Sequence, residues 1–278
     1  MPDTQTGIFY GVDREEYDAI RAANQSSLKL LARSAKYARH KLDNPETTEP
    51  MAFGTAVHVA TLEAEDFPAR YHVMPKVDRR TTVGKQAYAD ALNAAEGKII
   101  LPETGKLSYD YACQMGEALH KHPDIHRLFE RGPEREAMLV WRDEVTGLLC
   151  KGLVDALIDD KWATLGDLKT SRNCSEDFMS RELYDRGYHV QGAFYLGGYR
   201  TITGKTDANF VLAVVENEPP FDCALYPIGE KSLTLGGIEV RRYLETWKQC
   251  SETGKWPGVP QRPIELDVPA YRLKELSK

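Results

Sequence analysis

Cysteine is sparse and follows no pattern. The chain of 278 residues carries five, Cys113, Cys150, Cys174, Cys223 and Cys250, an odd number without a C-x-x-C pair. Neither a zinc ribbon nor a disulfide framework is suggested, and a reducing cytoplasm is the simplest expectation. Long apolar runs are missing, so no membrane span is expected. Nothing resembles a secretory leader, because the opening residues are polar and include Asp3, Asp13, Glu15 and Glu16. A basic surplus is also missing: 36 Lys and Arg face 42 Asp and Glu, a formal net charge of −6. That balance argues against coating nucleic acid by charge alone, though not against an enzyme with a local basic groove. The glycine pairs in "LGGY" and "LGGI" do not fit a phosphate loop. No internal repeat and no clean domain boundary is visible.

What is present is the profile of a globular protein, 42% apolar and 28% charged, long enough to bury a core of useful size. Residues 1–12 read as a loose arm. A helix is expected from Ser26 or Ser27, good N-cap residues, with Leu28, Leu31 and Ala35 as its stripe. Residues 44–50 read as a loop and 51–63 as a helix with Phe53, Ala56, Val57, Ala60 and Thr61 on or beside one face. Residues 69–75 alternate like a strand, 76–86 read as a basic, exposed loop, and helices follow near 86–96, 105–122 and 122–130. From Glu134 the texture turns to strands: three up to Ser171, a helical stretch broken at Gly187, two strands around Pro219 and Pro220, and a helix. The proline-rich tail is expected to wrap the surface. The expectation is one α/β domain over 1–278. Its helical N-terminal part covers about 13–130, its sheet core about 134–228, and its C-terminal helix and tail 229–278.

Within the strands, "GLVDALIDDKWATLGDLKTS" (152–171) sets Asp155, Asp167 and Lys169 among apolar residues. If the hairpin loop is Asp159–Lys161, Asp155 stands opposite residue 165, and Asp167 is its diagonal neighbour, about 7–8 Å away. A two-residue loop would put the acids on opposite faces. With an odd loop, Lys169 shares their face and Leu168 points into the core. Two carboxylates so placed can share a hard divalent ion such as Mg2+ or Mn2+. A D-x-K triplet by itself is more simply a strand-edge ion pair. The apolar surroundings weigh against that, since unpaired buried charge is costly.

The pattern Asp155, eleven residues, then Asp167-Leu168-Lys169 resembles the PD-(D/E)xK nuclease core. "GTAVHVATLE" resembles the histidine-bearing helix of that superfamily's RecB-like branch. "QSSLKLLARSAKYARHK" resembles its N-terminal segment, and "YHVQGAFYLGGY" its Q-x-x-x-Y helix. Together these cover roughly residues 20–200, and the likeness is strongest to RecE-type exonucleases (exodeoxyribonuclease VIII). The resemblance implies a restriction-endonuclease-like core, a mixed central sheet flanked by helices. It implies His58, Asp155, Asp167 and the Leu168 carbonyl as metal ligands. Lys169 would activate water, and Gln191 and Tyr195 would support the lysine and the DNA backbone. Ser27, at a helix start, would meet a terminal 5′-phosphate, and Arg172 would replace the arginine that lambda-type relatives place at the position of Glu176. Glu136 stands where such relatives use an upstream glutamate toward a second metal. The implied activity is a Mg2+-dependent 5′–3′ exonuclease on double-stranded DNA ends, with Mn2+ as the implied substitute cation. The implied partners are a RecT-like annealing protein and further copies of the chain in a trimeric or tetrameric ring. Asp167 departs from the Glu common at that position, and Ser34 stands where iron–sulfur relatives have Cys.

Two other functions stay open: another nuclease of this fold, endonucleolytic or flap-type, and a non-catalytic DNA-binding protein. Standing alone, His58 reads as an ordinary helix histidine, and Gln191 with Tyr195 as a surface pair. Arg79, Arg80 and Lys85 form a candidate DNA contact, and Trp141, Trp162, Trp247 and Trp256 read as packing residues.

Overall fold

The computed structural model describes residues 5–131 and 135–268. The chain starts with β1 (Gly7–Phe9), α1 (Arg14–Ala19), β2 (Ala23–Asn24), α2 (Gln25–Leu28), a 3-10 turn over Lys29–Ala32, and α3 (Ala35–Asp43). Then come α4 (Glu49–Leu62), α5 (Phe67–Arg70), β3 (Tyr71–Met74), α6 (Thr82–Ala94), β4 (Ile99–Pro102), α7 (Tyr109–Lys121) and α8 (Pro123–Arg131). The second half holds β5 (Arg135–Arg142), β6 (Leu149–Ile158), β7 (Ala163–Ser171), α9 (Glu176–Asp185), α10 (Tyr188–Thr203), β8 (Ala208–Glu216), β9 (Cys223–Pro227) and α11 (Glu230–Thr253). Side chains of Asn24, Ser34, Thr48, Thr81 and Ser108 accept the exposed N–H groups that start α2, α3, α4, α6 and α7. Among the described residues no helix is long and apolar enough to cross a membrane.

The main sheet runs β1-β5-β6-β7-β8-β9 and is mixed, because β7 and β8 are parallel. Parallel neighbours need a crossover, supplied here by α9 and α10. The α10 and α11 side packs with Phe194, Tyr199, Phe210 and Leu165. The opposite face packs Phe53 and Val57 of α4 and Met115 and Leu119 of α7 against Leu168 and Ala213. The sheet is thus sandwiched between helices, as the resemblance implies.

One feature of this sheet positions everything that follows. β6 and β7 pair only beside their turn, at Ala156↔Gly166, Leu157↔Leu165 and Ile158↔Thr164. Beyond those pairs they part, and β2 takes the free edge of β6, Ala23 and Asn24 pairing with Cys150 and Lys151. The sheet is forked, with Asp155 and Asp167 next after the last pair on either arm. Side-chain alternation also slips there. Val154 and Leu157 both pack on the α10 side, whereas Ala156 packs against the α4–α7 layer. Across from Asp155, Glu136 adopts φ +58°, a conformation uncommon for any residue but glycine.

Several expectations change. Residues 7–9 are not part of a loose arm but a strand paired with β5. The single helix expected from Ser26 or Ser27 is three pieces. Asn24 caps the first, and Ser34, in extended conformation, ends the run and caps α3. Leu28, Leu31 and Ala35 are nevertheless buried. Thr48 starts α4 inside the expected 44–50 loop, and β4 forms where no strand was expected. Trp162 is 64% exposed, so it is no packing residue. Trp141 is buried, and Trp247 meets Trp256 edge-on at 5.7 Å. The tail contacts α3 through Pro257, whose carbonyl accepts the Lys36 N–H. Glu134, like the end of the tail, lies outside the described residues.

At the β5–β6 turn, Asp143 ties the sheet to α11. Arg241 donates to both its oxygens, at 2.7 and 2.8 Å, and Thr146 donates its N–H and hydroxyl. Burial alone would raise this carboxyl, but those bonds hold it at about 2. A depressed acid contributes stability that is complete above its unfolded value, about pH 4, and is lost as pH falls through about pH 2. Asp143→Asn is expected to cost about 2 kcal/mol at neutral pH and to flatten the acid limb of Tm against pH. Thermal melts in which the variant's acid limb stays as steep as the wild type's would contradict this.

Candidate active site

α4, β6, β7 and α10 converge on the fork. Continuing the β6–β7 register sets Asp155 directly opposite Asp167, not residue 165. The reason is loop length. The last pair, Ile158↔Thr164, leaves 159–163 to make the turn, and Tyr199 and Lys205 hold Asp159 at its start. The loop is still odd, so Asp155, Asp167 and Lys169 share a face as expected.

Both acids are buried, at 6% and 4% exposure, and their oxygens have distinct neighbours. The Leu168 N–H donates to Asp155 Oδ2 at 2.6 Å. His58 Nδ1, on α4, stands 3.4 Å from Asp155 Oδ1. Gln191 Nε2 donates to Asp167 Oδ1 at 2.6 Å. The Lys169 ammonium lies against Asp167 Oδ2, a buried oxygen that otherwise accepts no hydrogen bond. A strand residue's N–H and C=O leave by the same edge, so the Leu168 carbonyl also faces the fork.

These neighbours set the proton balance. Burial disfavours charge on Asp155, but His58 and then Lys169 outweigh it and pull the carboxyl below its usual value. Asp167 moves the other way: burial, helped by the nearby Asp155, raises it despite Lys169. Burial would lower His58 and Lys169, yet Asp155 raises the first and Asp167 with Asp155 the second. The face therefore sets an imidazole and an ammonium against two buried acids.

Gln191 and Tyr195 both reach this region. Gln191 bonds Asp167 rather than Lys169. Tyr195 lies against Gly152, where a Cβ would stand 2.7 Å from its ring, so the strand needs glycine there. Burial, then Asp167, pushes its phenol far up. Ser27 is at the third position of α2, but the side chain of Asn24 already takes its N–H. The helix start therefore offers no free Ser27 N–H to an anion. Arg172 lies past the end of β7 with its guanidinium 4.8 Å from the Phe178 ring. Among the described residues it pairs with neither acid. Arg79 stacks on Tyr88 and Arg80 pairs with Asp78.

Three residues went unread in the sequence. Glu63, which ends α4 and pairs with Arg70, is close enough to Glu136 to raise it, after burial and ahead of Asp155. Lys29 is pushed down by burial of its head and then by Lys169 and Arg186. The third, Tyr188, presents its ring to Lys169 at 5.2 Å. Lys29 and Tyr188 lie within the segments that carry the resemblance, but no spacing rule links them to Lys169.

Buried carboxylates, a strand carbonyl and an imidazole are donors that suit a hard divalent cation, and the otherwise unbonded Asp167 Oδ2 supports that fit. Among the described residues no three His, Cys, Asp or Glu side chains already converge into a cage. Instead, His58 and Lys169 rest against the carboxylates.

A family model described as a PDDEXK-like domain of unknown function (DUF3799) matches residues 24–261. The chain belongs to that family. The match begins at Asn24, on the strand that fills the fork, and spans every site residue named above. A crystal structure of a candidate exonuclease from Eubacterium rectale is similar in fold, with TM-score 0.55 and 14% identity over 95% of this chain and 98% of that one. The structure of SSO0001 aligns over 80% of this chain and 90% of its own at 15% identity, with a TM-score of 0.28. No curated protein matches the chain. The PDDEXK-like domain and the fold of its neighbour make this a nuclease-type scaffold.

Proposed function

We propose that this PDDEXK-like chain is a Mg2+-dependent exonuclease that degrades double-stranded DNA from the 5′ end and leaves 3′ single strands for recombination by annealing. The observation that carries the reading is the fork: Asp155 opposite Asp167, both buried, with Lys169 on the same face. His58, Asp155, Asp167 and the Leu168 carbonyl would hold the cation, for which Mn2+ can substitute. When bound, it lowers the pKa of a water and offsets charge on the phosphoryl group. Lys169 keeps its proton and places positive charge beside the attacked phosphate, where it orients the water and stabilises the developing negative charge. Gln191 fixes the Asp167 carboxylate through Oδ1, and Tyr195 stands beside it as a buried phenol whose ionisation burial disfavours. Polarity and the pairing with a RecT-like annealing protein rest on the RecE likeness, as do the trimeric or tetrameric ring and the cytoplasmic setting. A ring would also let an acidic chain retain DNA by topology rather than by surface charge.

Digestion of end-labelled linear duplex, with and without EDTA, tests metal need and polarity together. Label is expected to leave the 5′ end first, only with Mg2+, while closed circular DNA stays intact. Cleavage of closed circles would replace the exonuclease by an endonuclease of the same fold. Unchanged linear DNA would leave a binding protein.

A further inference from the structure

We infer that Tyr188 is a positioning residue for Lys169, its ring face setting where the ammonium stands relative to the paired acids. The inference rests on the nuclease reading for its consequence, but not for its geometry. Lys169 Nζ stands 5.2 Å from the Tyr188 ring centroid, within the roughly 6 Å over which an aromatic face attracts a cation. The ammonium also lies against Asp167 Oδ2. One contact is a charge and the other a face, and together they confine a side chain with four rotatable bonds.

The ring is itself held. Tyr188 is the first residue of α10, directly after Gly187, whose φ of +69° turns the chain sharply out of α9. It is partly buried and packs on the core beneath α10. One turn along the same helix, Gln191 bonds the other oxygen of Asp167. One helix end therefore fixes the acid by an amide and the lysine by a ring. Gln191 and Tyr195 do not do the second job: Gln191 is spent on Asp167, and Tyr195 lies on Gly152. A purely packing role for Tyr188 would depend on ring size and not on the electron density of its face.

That difference gives the test. Tyr188→Phe keeps the face, Tyr188→Leu removes it, and a series of ring-fluorinated phenylalanines at this position weakens the face without changing its shape. Two readouts are taken on the full chain: single-turnover digestion of linear duplex with Mg2+, and the NMR shift of the Lys169 ε-methylene without metal. Phe is expected to stay within about twofold of wild type. Leu is expected to lose about tenfold in the maximal single-turnover rate, with little change in the enzyme concentration that gives half of it. The rate should fall stepwise with each added fluorine. The methylene, shifted upfield by the ring, should return to an ordinary lysine position in Tyr188→Leu. Wild-type methylene protons at an ordinary position, or a fluorine series without a trend in an active enzyme, would overturn the positioning role and leave the nuclease reading intact. An upfield methylene in a protein that leaves every duplex uncut would overturn the nuclease reading and leave the positioning intact.

Discussion

Asp167→Ala and Lys169→Ala are each expected to lower Mg2+-dependent duplex degradation by about a thousandfold or more, with the fold intact. Asp167 closes one side of the fork, and its two oxygens are the meeting point of Gln191 and Lys169. Removing it takes a cation ligand and the anchor of two other groups together. Removing Lys169 leaves the buried Asp167 without the ammonium that lies against it. Because the residues act as one unit, the double variant should be little worse than either single one. Thermal melts and circular dichroism check that the variants fold. Either variant retaining full activity would refute the site, whereas unfolding of both would shift the test to the isosteric Asp167→Asn.

The second large effect concerns stability and sits on two adjacent glycines. Gly236→Ala is expected to destabilise by about 3 kcal/mol and to lower Tm by roughly 6–12 °C. Gly237→Ala should instead stabilise by about 0.5–1 kcal/mol. A Cβ on Gly236 would stand 2.2 Å from the His189 carbonyl oxygen, a backbone atom that cannot swing aside, while one on Gly237 would meet nothing within 4 Å. The clash falls on the first turn of α10, between Tyr188 and Gln191, so Gly236→Ala should also cost activity. Melts of the two variants side by side decide this. Equal effects at the two positions would mean that α11 does not press on α10 as described.

The core of the site could be read because it depends on short spacings. Asp167 and Lys169 stand two apart on one strand, so they share a face whatever the fold. Gln191 and Tyr195 stand four apart on one helix. The sharing of a face by Asp155 needed only that the loop be odd, which held although the loop was longer than expected. What could not be read depends on long-range pairing. β1 and β2 are too short to show alternation, and their strand character comes from β5 and β6, far along the chain. The fork itself has no local signature, because nothing in "LVDALI" says that its partner leaves after Ala156. The expected helix broke because Ser34 prefers to cap rather than continue, and that signal was present in the sequence. Lys29 and Tyr188 were missed for a different reason: a net charge of −6 says nothing of where single cations gather, and aromatic neighbours of a lysine leave no periodic trace.

The strand that fills the fork has a consequence for how the protein is made. Ala23 and Asn24 lie near the beginning of the chain, yet their partners, Cys150 and Lys151, are synthesised only after the whole helical segment. The acids follow at 155 and 167, and α10 later still. On the ribosome, the early residues must wait for a strand that does not yet exist, and contacts of such wide sequence separation form slowly. A chain released early, or trimmed past Asn24, can keep Asp155, Asp167 and Lys169 and still lack the wedge that holds β6 apart from β7. The fork is therefore completed only when its early and late strands are both present.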